Sequence, residues 1–372
     1  MTIGIIGYNG WNNIGDDAML LSIILQLQKA VSIDKIIVWG DQKAIEQLTA
    51  SIPVEIRAIR YFKYVSKLRI IKKILHLCVF SRQFKECDQV IIGGGSIFQT
   101  LKGTRHIFRL MRAIRFYNKV VKFNLCNVAV GPFNNKLVFN QFKKICSLTN
   151  RITVRDKRSL AELEKLRIHL PYIELQDVAM SYTALTQIDS SEKSTQIQRV
   201  GISFRGGHTS EQTYTKVAEV LKTIEKTADI ELYLFEFGAH QNGRDILAMK
   251  EFLPYSAHLS VDQIHMIEYT SDTKQFYELI ASMDFMICMR LHAAIISYSV
   301  KTPFAIVSYA TKCNDFVDII KEDEGINTLI SEDYDCSGLK IALSEMMSIP
   351  FDTHSISLNS AMNHIPYLLR ET

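Results

Sequence analysis

The fold of this chain is decided at residues 285–312, which read FMICMRLHAAIISYSVKTPFAIVSYATK. The apolar runs 285–288 and 304–308 predict two buried strands, and residues 291–299 predict the helix between them. Open α/β sheets bind ligands at the carboxyl ends of their strands, where helix N-termini begin. Arg290, His292 and Lys312 follow such ends, so this stretch predicts a site that holds an anion and moves a proton. The alternative is that Arg290 and Lys312 are surface charges and that His292 only caps its helix.

The same alternation of apolar strands and helical stretches covers most of the chain. It is typical of parallel sheets with helices on both faces. The polar run 186–198 is composed like a linker between domains. We therefore predict an α/β fold with two doubly wound Rossmann-like domains facing a cleft, residues 1–185 and 199–348, and a tail, 349–372, that docks on the first domain. The strands are predicted at 3–7, 35–39, 90–92, 122–130 and 152–154, and then at 199–204, 230–235, 284–288 and 304–308.

The net charge of +4 conceals a strong asymmetry along the chain. Residues 57–155 contain 21 lysines and arginines and only two acids, a net charge of +19. Helical spacing predicts that Arg105, Arg109 and Arg112 share one face, and Lys67 and Lys72 flank a second amphipathic stretch. One such face is commonly just solvated, but two with almost no acid between them favour an anionic membrane surface as a partner. Nucleic acid is a weaker expectation, because the chain has no recognised nucleic-acid motif.

The sequence also predicts where the protein works and which groups it does without. Its N-terminus enters a strand directly and no apolar run reaches the ~20 residues that cross a bilayer, so we expect a cytoplasmic protein, peripheral at the inner face of the cell membrane. No cysteine, histidine or carboxylate cluster has metal-ligand spacing. We therefore expect neither a metal nor a cofactor.

Three further motifs follow predicted strands. Asn13, Gly15, Asp16 and Asp17 lie between the first strand and its helix, where they either cap the helix or hold and deprotonate a sugar hydroxyl. Gly93, Gly94, Gly95 and Ser96 predict a loop of backbone N–H donors suited to an anion. Arg155 and Arg205 stand at the ends of two more strands, and arginine matches phosphate and carboxylate with paired hydrogen bonds. Together these motifs predict a small polyanionic substrate.

In this order, the motifs resemble the polysaccharide pyruvyl transferase family. The resemblance rests on residues 13–17, 93–96, 154–156 and 203–205, and above all on Arg290-Leu-His292 with Tyr309 and Lys312. It implies a GT-B-like fold and the transfer of a carboxyethylidene group from phosphoenolpyruvate, a co-substrate, to a sugar in bacterial capsule or exopolysaccharide biosynthesis. The first domain would take the acceptor and the second the donor.

Roles for the candidate residues follow from this chemistry. A histidine holds a transferable proton near neutral pH, so His292 is the expected general acid. Asp16 or Asp17 would act on the acceptor hydroxyl, with Asn13, Gly15 and the 93–96 loop beside it. The acceptor is expected to be a polyprenyl diphosphate-linked sugar. Two alternatives stay open: a GT-B nucleotide-sugar glycosyltransferase, and a non-catalytic, membrane-docked component of an envelope-assembly complex. The residues expected to hold the donor are Arg290, Arg205, Lys312, Arg155 and Tyr309.

Overall fold

The structure is a computed structural model of the 372-residue chain. Contacts within the chain define two compact units. Unit 1 consists of Met1–Trp11, Met19–Val178 and Ser360–Thr372, and unit 2 of Asn12–Ala18 and Ala179–Asn359. The short segment 12–18 thus belongs with the second half of the chain, a division that the sequence pattern did not indicate. The structure describes residues 1–60, 77–95, 97–133, 135–188, 197–226, 228–239, 245–308, 310–324, 329–330 and 359–370.

Unit 1 is built on a seven-stranded sheet in the order β3-β2-β1-β4-β5-β6-β7. All neighbouring strands run parallel. The order reverses between β1 and β4, which is where open sheets of this kind form a crevice at their carboxyl edge. The strands are β1 (Thr2–Asn9), β2 (Lys35–Gly40), β3 (Glu55–Arg60), β4 (Gln89–Gly95), β5 (Lys122–Val128), β6 (Arg151–Val154) and β7 (Tyr172–Glu174).

Unit 2 repeats this architecture with a six-stranded sheet in the order β10-β9-β8-β11-β12-β13. Its neighbouring strands are again parallel, and the order reverses between β8 and β11. The carboxyl ends of these strands therefore share one edge, so the residues that follow them are candidates for one site. The strands are β8 (Ile197–Ser203), β9 (Asp229–Phe235), β10 (Ile264–Ile267), β11 (Phe285–Cys288), β12 (Phe304–Val307) and β13 (Leu329–Ile330).

The helices connect the parallel strands, as crossover connections require. Short 3₁₀ turns occupy Ile97–Gln99, Val178–Met180, Leu253–Ser256 and Val261–Gln263. The helices are α1 (Ile14–Ala30), α2 (Gln42–Leu48), α3 (Leu101–Tyr117), α4 (Lys136–Cys146), α5 (Lys157–Leu166), α6 (Ser181–Thr186), α7 (Glu211–Glu225), α8 (Asp245–Phe252), α9 (Thr273–Ala281), α10 (Leu291–Ser299), α11 (Thr311–Glu324) and α12 (His364–Leu368).

Burial explains why the predicted strands form. Every residue of β11 and all but the last of β4 are buried, as expected for strands covered by helices on both faces. Helix α10 is buried except at His292, while α3 buries only one stripe. The predicted α/β class with parallel sheets is confirmed. Absent from the predicted strands were β3, β7, β10 and β13, which are short or lie at the sheet edges, where an apolar run is not required.

Helix α12, in the tail of the chain, belongs to unit 1. Its backbone is fixed to α1, because the Gln26 side chain donates to Ala361 O (2.8 Å) and accepts from Ile365 N (3.2 Å). Within the described ranges, no helix is both long enough and apolar enough to span a membrane.

Candidate functional site

The first turn of α1 is fixed within unit 2 by the loop that follows β9. The Asn13 side chain accepts a hydrogen bond from Gly15 N (3.0 Å), which caps the helix as its sequence predicts. Asn13 also forms an isolated antiparallel bridge with Gly238, and Ile14 N donates to Phe237 O at 3.0 Å. The segment 12–18 therefore lies at the carboxyl edge of the unit 2 sheet, with the residues that follow β9.

His292 packs directly against this first turn. It is the second residue of α10, which follows β11. A Cβ atom added to Gly15 would lie 2.0 Å from His292 Nδ1, which is far inside van der Waals contact. Glycine is therefore the residue that lets the α1 backbone approach the imidazole. Gly15 and His292 were predicted in separate domains, and the structure brings them into contact.

Asp17 lies two residues further along the same turn and is 1% exposed. Its Oδ2 accepts a hydrogen bond from the Tyr269 hydroxyl at 2.8 Å, while Oδ1 has no hydrogen-bond partner among the described residues. Burial raises the pKa of the Asp17 carboxyl to about 7; the Tyr269 hydrogen bond lowers it and the charge of Asp16 raises it. Asp17 thus exchanges a proton near neutral pH, whereas the half-buried Asp16 is the more accessible of the two carboxylates.

Tyr269 is itself held in place. It follows β10, and its backbone N–H donates to Glu236 Oε2 at 3.1 Å. Burial and the neighbouring Asp17 carboxylate raise the pKa of the Tyr269 hydroxyl, so it stays protonated and donates to Asp17. Tyr269 was not among the predicted residues, because a single tyrosine after a weak edge strand has no recognisable spacing.

Arg290 is anchored by Asp245, a second residue that the sequence analysis missed. Arg290 Nε donates to Asp245 Oδ2 at 2.8 Å, and Nη2 donates to Oδ1. Asp245 is fully buried and also accepts from the backbone N–H groups of Gly206 and Gly238, both at 3.0 Å. This carboxylate therefore ties the loops after β8 and β9 to the arginine after β11. An aspartate at the first residue of a helix is common for the helix dipole alone, so its position gave no distinctive signal.

The other cations expected to hold a donor stand at the same edge of the unit 2 sheet. Arg205 follows β8 in a tight turn, where its backbone N–H donates to Thr209 Oγ1 at 3.3 Å. Lys312 is exposed in the first turn of α11, after β12. Since β8, β11 and β12 are neighbours, the residues Arg205, Arg290 and Lys312 follow three adjacent strand ends. Tyr309 lies outside the described residues.

The predicted glycine loop of unit 1 is corrected by the structure. Gly93, Gly94 and Gly95 are the last residues of β4, with Gly93 paired to Cys126 and Gly95 to Val128 of β5. A Cβ atom on Gly93 would lie 2.6 Å from Cys126 O, so this glycine is needed for the close approach of two strands. Gly94 and Gly95 have φ angles of +85° and +72°. Ser96 lies outside the described residues.

Arg155 also lies in unit 1, within a buried polar network. The residue is 8% exposed, and its Nη1 donates to Asp177 Oδ2 at 3.3 Å. Asp177 Oδ1 accepts from Asn127 Nδ2 at 3.3 Å, and Asn127 N donates to Thr153 Oγ1 at 2.9 Å. The positive charge of Arg155 is therefore matched inside unit 1.

His364 of α12 completes this network. Its Nε2 lies 2.7 Å from Gln176 O, which can only accept, so Nε2 carries the proton and Nδ1 accepts from the Thr153 hydroxyl at 2.7 Å. Burial lowers the pKa of His364 to about 4, and the imidazole is neutral at neutral pH. No role was predicted for this histidine from the sequence.

The predicted membrane face is described in part. Arg105, Arg109 and Arg112 are exposed on α3, as their helical spacing predicts. Lys67 and Lys72 lie outside the described residues. No group of three or more histidine, cysteine or carboxylate side chains in the described part of the chain is placed to hold a metal ion.

Comparisons with known proteins agree with the motifs. A family model described as polysaccharide pyruvyl transferase matches residues 13–311. No curated protein matches the chain. The family match spans most of the chain and both units, from the α1 cap to the start of α11.

Solved structures show the same fold at low sequence identity. UDP-GlcNAc 2-epimerase from Neisseria meningitidis, bound to UDP-GlcNAc, is 11% identical with a TM-score of 0.64, and the alignment covers 99% of each chain. Anabaena Alr3699/HepE, in complex with UDP and glucose, is 10% identical with a TM-score of 0.60 and coverage of 99% of this chain and 97% of its own. MurG from Acinetobacter baumannii is 11% identical with a TM-score of 0.51 and coverage of 98% and 95%. These likenesses establish the GT-B-like fold.

Proposed function

The chain belongs to the polysaccharide pyruvyl transferase family, and from this premise we propose that it transfers a carboxyethylidene group from phosphoenolpyruvate to two hydroxyls of one sugar. The observation that carries the proposal is the packing of His292 of α10 against the first turn of α1 in unit 2, the turn that also carries Asp17. An imidazole and a carboxylate whose pKa is about 7 are the groups that proton transfer at neutral pH requires.

The proposed reaction has a simple balance. The methylene carbon of phosphoenolpyruvate takes a proton, which makes the adjacent carbon electrophilic. One sugar hydroxyl adds to that carbon and loses its proton. The carbon–oxygen bond to phosphate breaks, and a second hydroxyl adds to close the ketal. The two hydroxyl protons are balanced by the new methyl group and the released phosphate.

His292 is the proposed general acid for protonation of the methylene carbon. Its ring is oriented by contact with the α1 backbone at Gly15, and a nearby phosphate would raise its affinity for a proton. Between the two carboxylates, Asp17 has the pKa suited to accept the hydroxyl proton and Asp16 has the greater exposure. We propose that Asp17 is the base and that Asp16 orients the acceptor.

The cations of unit 2 are the proposed donor site. Arg290 is pre-oriented by Asp245, and a fixed cation costs no reorganisation when charge develops on the leaving phosphate. Arg205 and Lys312 follow the two strands adjacent to β11 and would neutralise the remaining charges. Arg155 is a weaker candidate than the sequence implied, because it is buried and its ion pair with Asp177 belongs to the internal network of unit 1, whereas Arg290 is partly exposed. No step in this chemistry requires a metal or a cofactor.

The acceptor is proposed to be a polyprenyl diphosphate-linked sugar in the assembly of a bacterial surface polysaccharide. The net charge of +19 over residues 57–155 supports an acceptor held at an anionic surface. The protein would then work on the cytoplasmic face of the cell membrane.

The proposal is tested by incubating the purified chain with phosphoenolpyruvate and a panel of galactose, mannose and N-acetylmannosamine acceptors, lipid-linked and nucleotide-linked. The expected product is heavier by one carboxyethylidene group, with release of inorganic phosphate. Release of a nucleoside diphosphate from a nucleotide sugar, with no use of phosphoenolpyruvate, would replace the proposal with glycosyl transfer.

A further inference from the structure

A groove of about 710 Å³ lies along α3 in unit 1, outside every residue used in the proposed chemistry. Four arginines and two phenylalanines of α3 line it, together with Gln141 of α4. At 1.5 Å per residue, the arginines are spread over roughly 15 Å of helix, a length that exceeds a single phosphate group. The arginines and phenylalanines are Arg105, Phe108, Arg109, Arg112, Arg115 and Phe116.

The groove is rich in donors and poor in acceptors. In the described part of the chain, no ion pair involves Arg105, Arg109 or Arg112. Two buried donors that line the groove, Arg115 Nε and Gln141 Nε2, have no hydrogen-bond partner among the described residues. Buried donors without acceptors are costly, so an occupant that supplies several anionic oxygens would satisfy them.

Exposed apolar side chains follow the arginines at the end of α3 and in the turn after it. Phe116 is 78% exposed and Val120 is 85% exposed, and Tyr117 contacts Phe116 with a ring separation of 5.3 Å. Arginines beside exposed aromatic and aliphatic side chains are typical of surfaces that lie in the headgroup region of a bilayer. A nucleic-acid phosphate backbone would leave Val120 in water and gain nothing from it.

We propose that this surface, the α3 groove with Phe116 and Val120, docks the protein on a membrane that contains anionic phospholipids. The arginines bind lipid phosphates, and the two apolar side chains enter the boundary between headgroups and acyl chains. Docking goes beyond ketal transfer and does not depend on it, because it uses residues of unit 1 only.

The test measures sedimentation of the full chain with vesicles of phosphatidylcholine, with and without about 30% phosphatidylglycerol, at moderate salt. The wild type is expected to bind the anionic vesicles and not the neutral ones. The triple variant Arg105→Gln/Arg109→Gln/Arg112→Gln is expected to lose ~30- to 100-fold in vesicle affinity, since each basic residue near the surface contributes a few-fold. The matched control is Lys222→Gln/Lys226→Gln/Lys250→Gln, which removes the same charge from exposed positions of unit 2 and should bind as the wild type does.

A second variant separates lipid insertion from general attraction to anions. Phe116→Ser/Val120→Ser is expected to weaken binding most at high salt, where the arginine contribution is screened. Its transfer rate to a soluble acceptor should equal that of the wild type. Three results would each overturn membrane docking. The first is equal binding to neutral and anionic vesicles, and the second is an equal loss of affinity in the triple arginine variant and the triple lysine variant. The third is tighter binding to a DNA duplex than to the vesicles. None of these outcomes bears on ketal transfer, which the soluble acceptor measures separately.

Discussion

Arg155 in unit 1 and Arg290 in unit 2 each follow a buried parallel strand, and each pairs with a buried aspartate. The partners of those aspartates differ. Asp177 binds Arg155 and Asn127 in a network that continues to Thr153 and to His364 of the last helix. Asp245 instead binds Arg290 and the backbone N–H groups of two loops at the sheet edge. From this difference we infer that Arg290 belongs to the substrate site and that Arg155 stabilises unit 1.

The two pairs also differ in what stands beside the arginine. Arg290 is the N-cap residue of α10, and the next but one residue is His292, whose ring contacts the α1 backbone. Arg155 has a structural histidine in its network, and that histidine is fully buried and neutral. We therefore expect substitutions at the unit 2 pair to change catalysis and substitutions at the unit 1 pair to change stability.

The largest expected effect comes from exchanging the two arginines for methionine, which keeps length and removes charge. Arg290→Met should lower kcat/KM for phosphoenolpyruvate by ~10²- to 10³-fold, because a pre-oriented cation on the leaving phosphate is lost. Steady-state phosphate release measures this. Arg155→Met should keep kcat/KM within a few-fold in the folded fraction and should lose about 3–5 kcal/mol of stability, because Asp177 is left as an unpaired buried charge. The comparison fails if the two variants lose activity equally.

The next largest effect is expected at His292, two residues after Arg290. His292→Ala should lose at least ~10²-fold in turnover, as expected for a general acid, while calorimetry shows phosphoenolpyruvate binding close to that of the wild type. The matched control is His169→Ala, an exposed histidine of unit 1 that should have no effect. Full turnover in His292→Ala would remove the histidine from the mechanism.

A third effect tests whether the unit 1 network is structural. The pKa of His364 is about 4 in the folded chain and 6.5 when unfolded. Between these values the unfolded chain binds the extra proton, so stability is full above pH 6.5 and falls as the pH drops toward 4. Between pH 7 and pH 4.5 the loss is about 2 kcal/mol. Urea unfolding at pH 7 and at pH 4.5 measures it.

The control for this third effect is His364→Gln, which keeps one donor and one acceptor but does not titrate. It should lose about 2 kcal/mol less than the wild type between the two pH values. The exposed His169→Gln should show the pH dependence of the wild type. An unchanged pH dependence in His364→Gln would contradict a neutral, buried role for this histidine.

The architecture could be predicted from the sequence because a strand that is buried on both faces requires a continuous run of apolar residues. Continuous apolar runs such as residues 90–92 and 285–288 are required wherever helices cover both faces of a sheet. Edge strands such as β3 and β10 were not predicted, because one side of each has no neighbouring strand. The assignment of residues 12–18 to unit 2 also escaped, since it depends on backbone bonds to residues more than 200 positions away.

The sequence predicted the residues proposed for the chemistry but not the residues that hold them in place. His292, Arg290 and Gly15 were found from their place after strands or within turns, and the structure brings Gly15 and His292 into contact. Asp245 and Tyr269 were not found, because their function is to hold other residues and nothing in their spacing marks it. Residues 93–95 predict a loop but end β4, because a strand that ends in glycine and a glycine turn have the same local sequence pattern.

The smallest expected effect concerns Tyr269. It donates a hydrogen bond to the buried Asp17 of unit 2, as Asn127 does to the buried Asp177 of unit 1. Burial raises the pKa of Asp17, the hydrogen bond from the Tyr269 hydroxyl lowers it, and the charge of Asp16 raises it. Tyr269→Phe should therefore raise that pKa above about 7 and move the acidic limb of the kcat profile to higher pH by roughly one unit, since a base must be deprotonated to act. At pH 6 this is up to a tenfold loss of activity, and at pH 9 activity should return.

The matched control is Tyr233→Phe, which removes a hydroxyl that donates to Glu231 on β9 and should leave the pH profile unchanged. A loss that is equal at all pH values would instead assign Tyr269 a structural role. The pair of Tyr269 and Asp17 in unit 2 would then resemble the structural pair of Asn127 and Asp177 in unit 1.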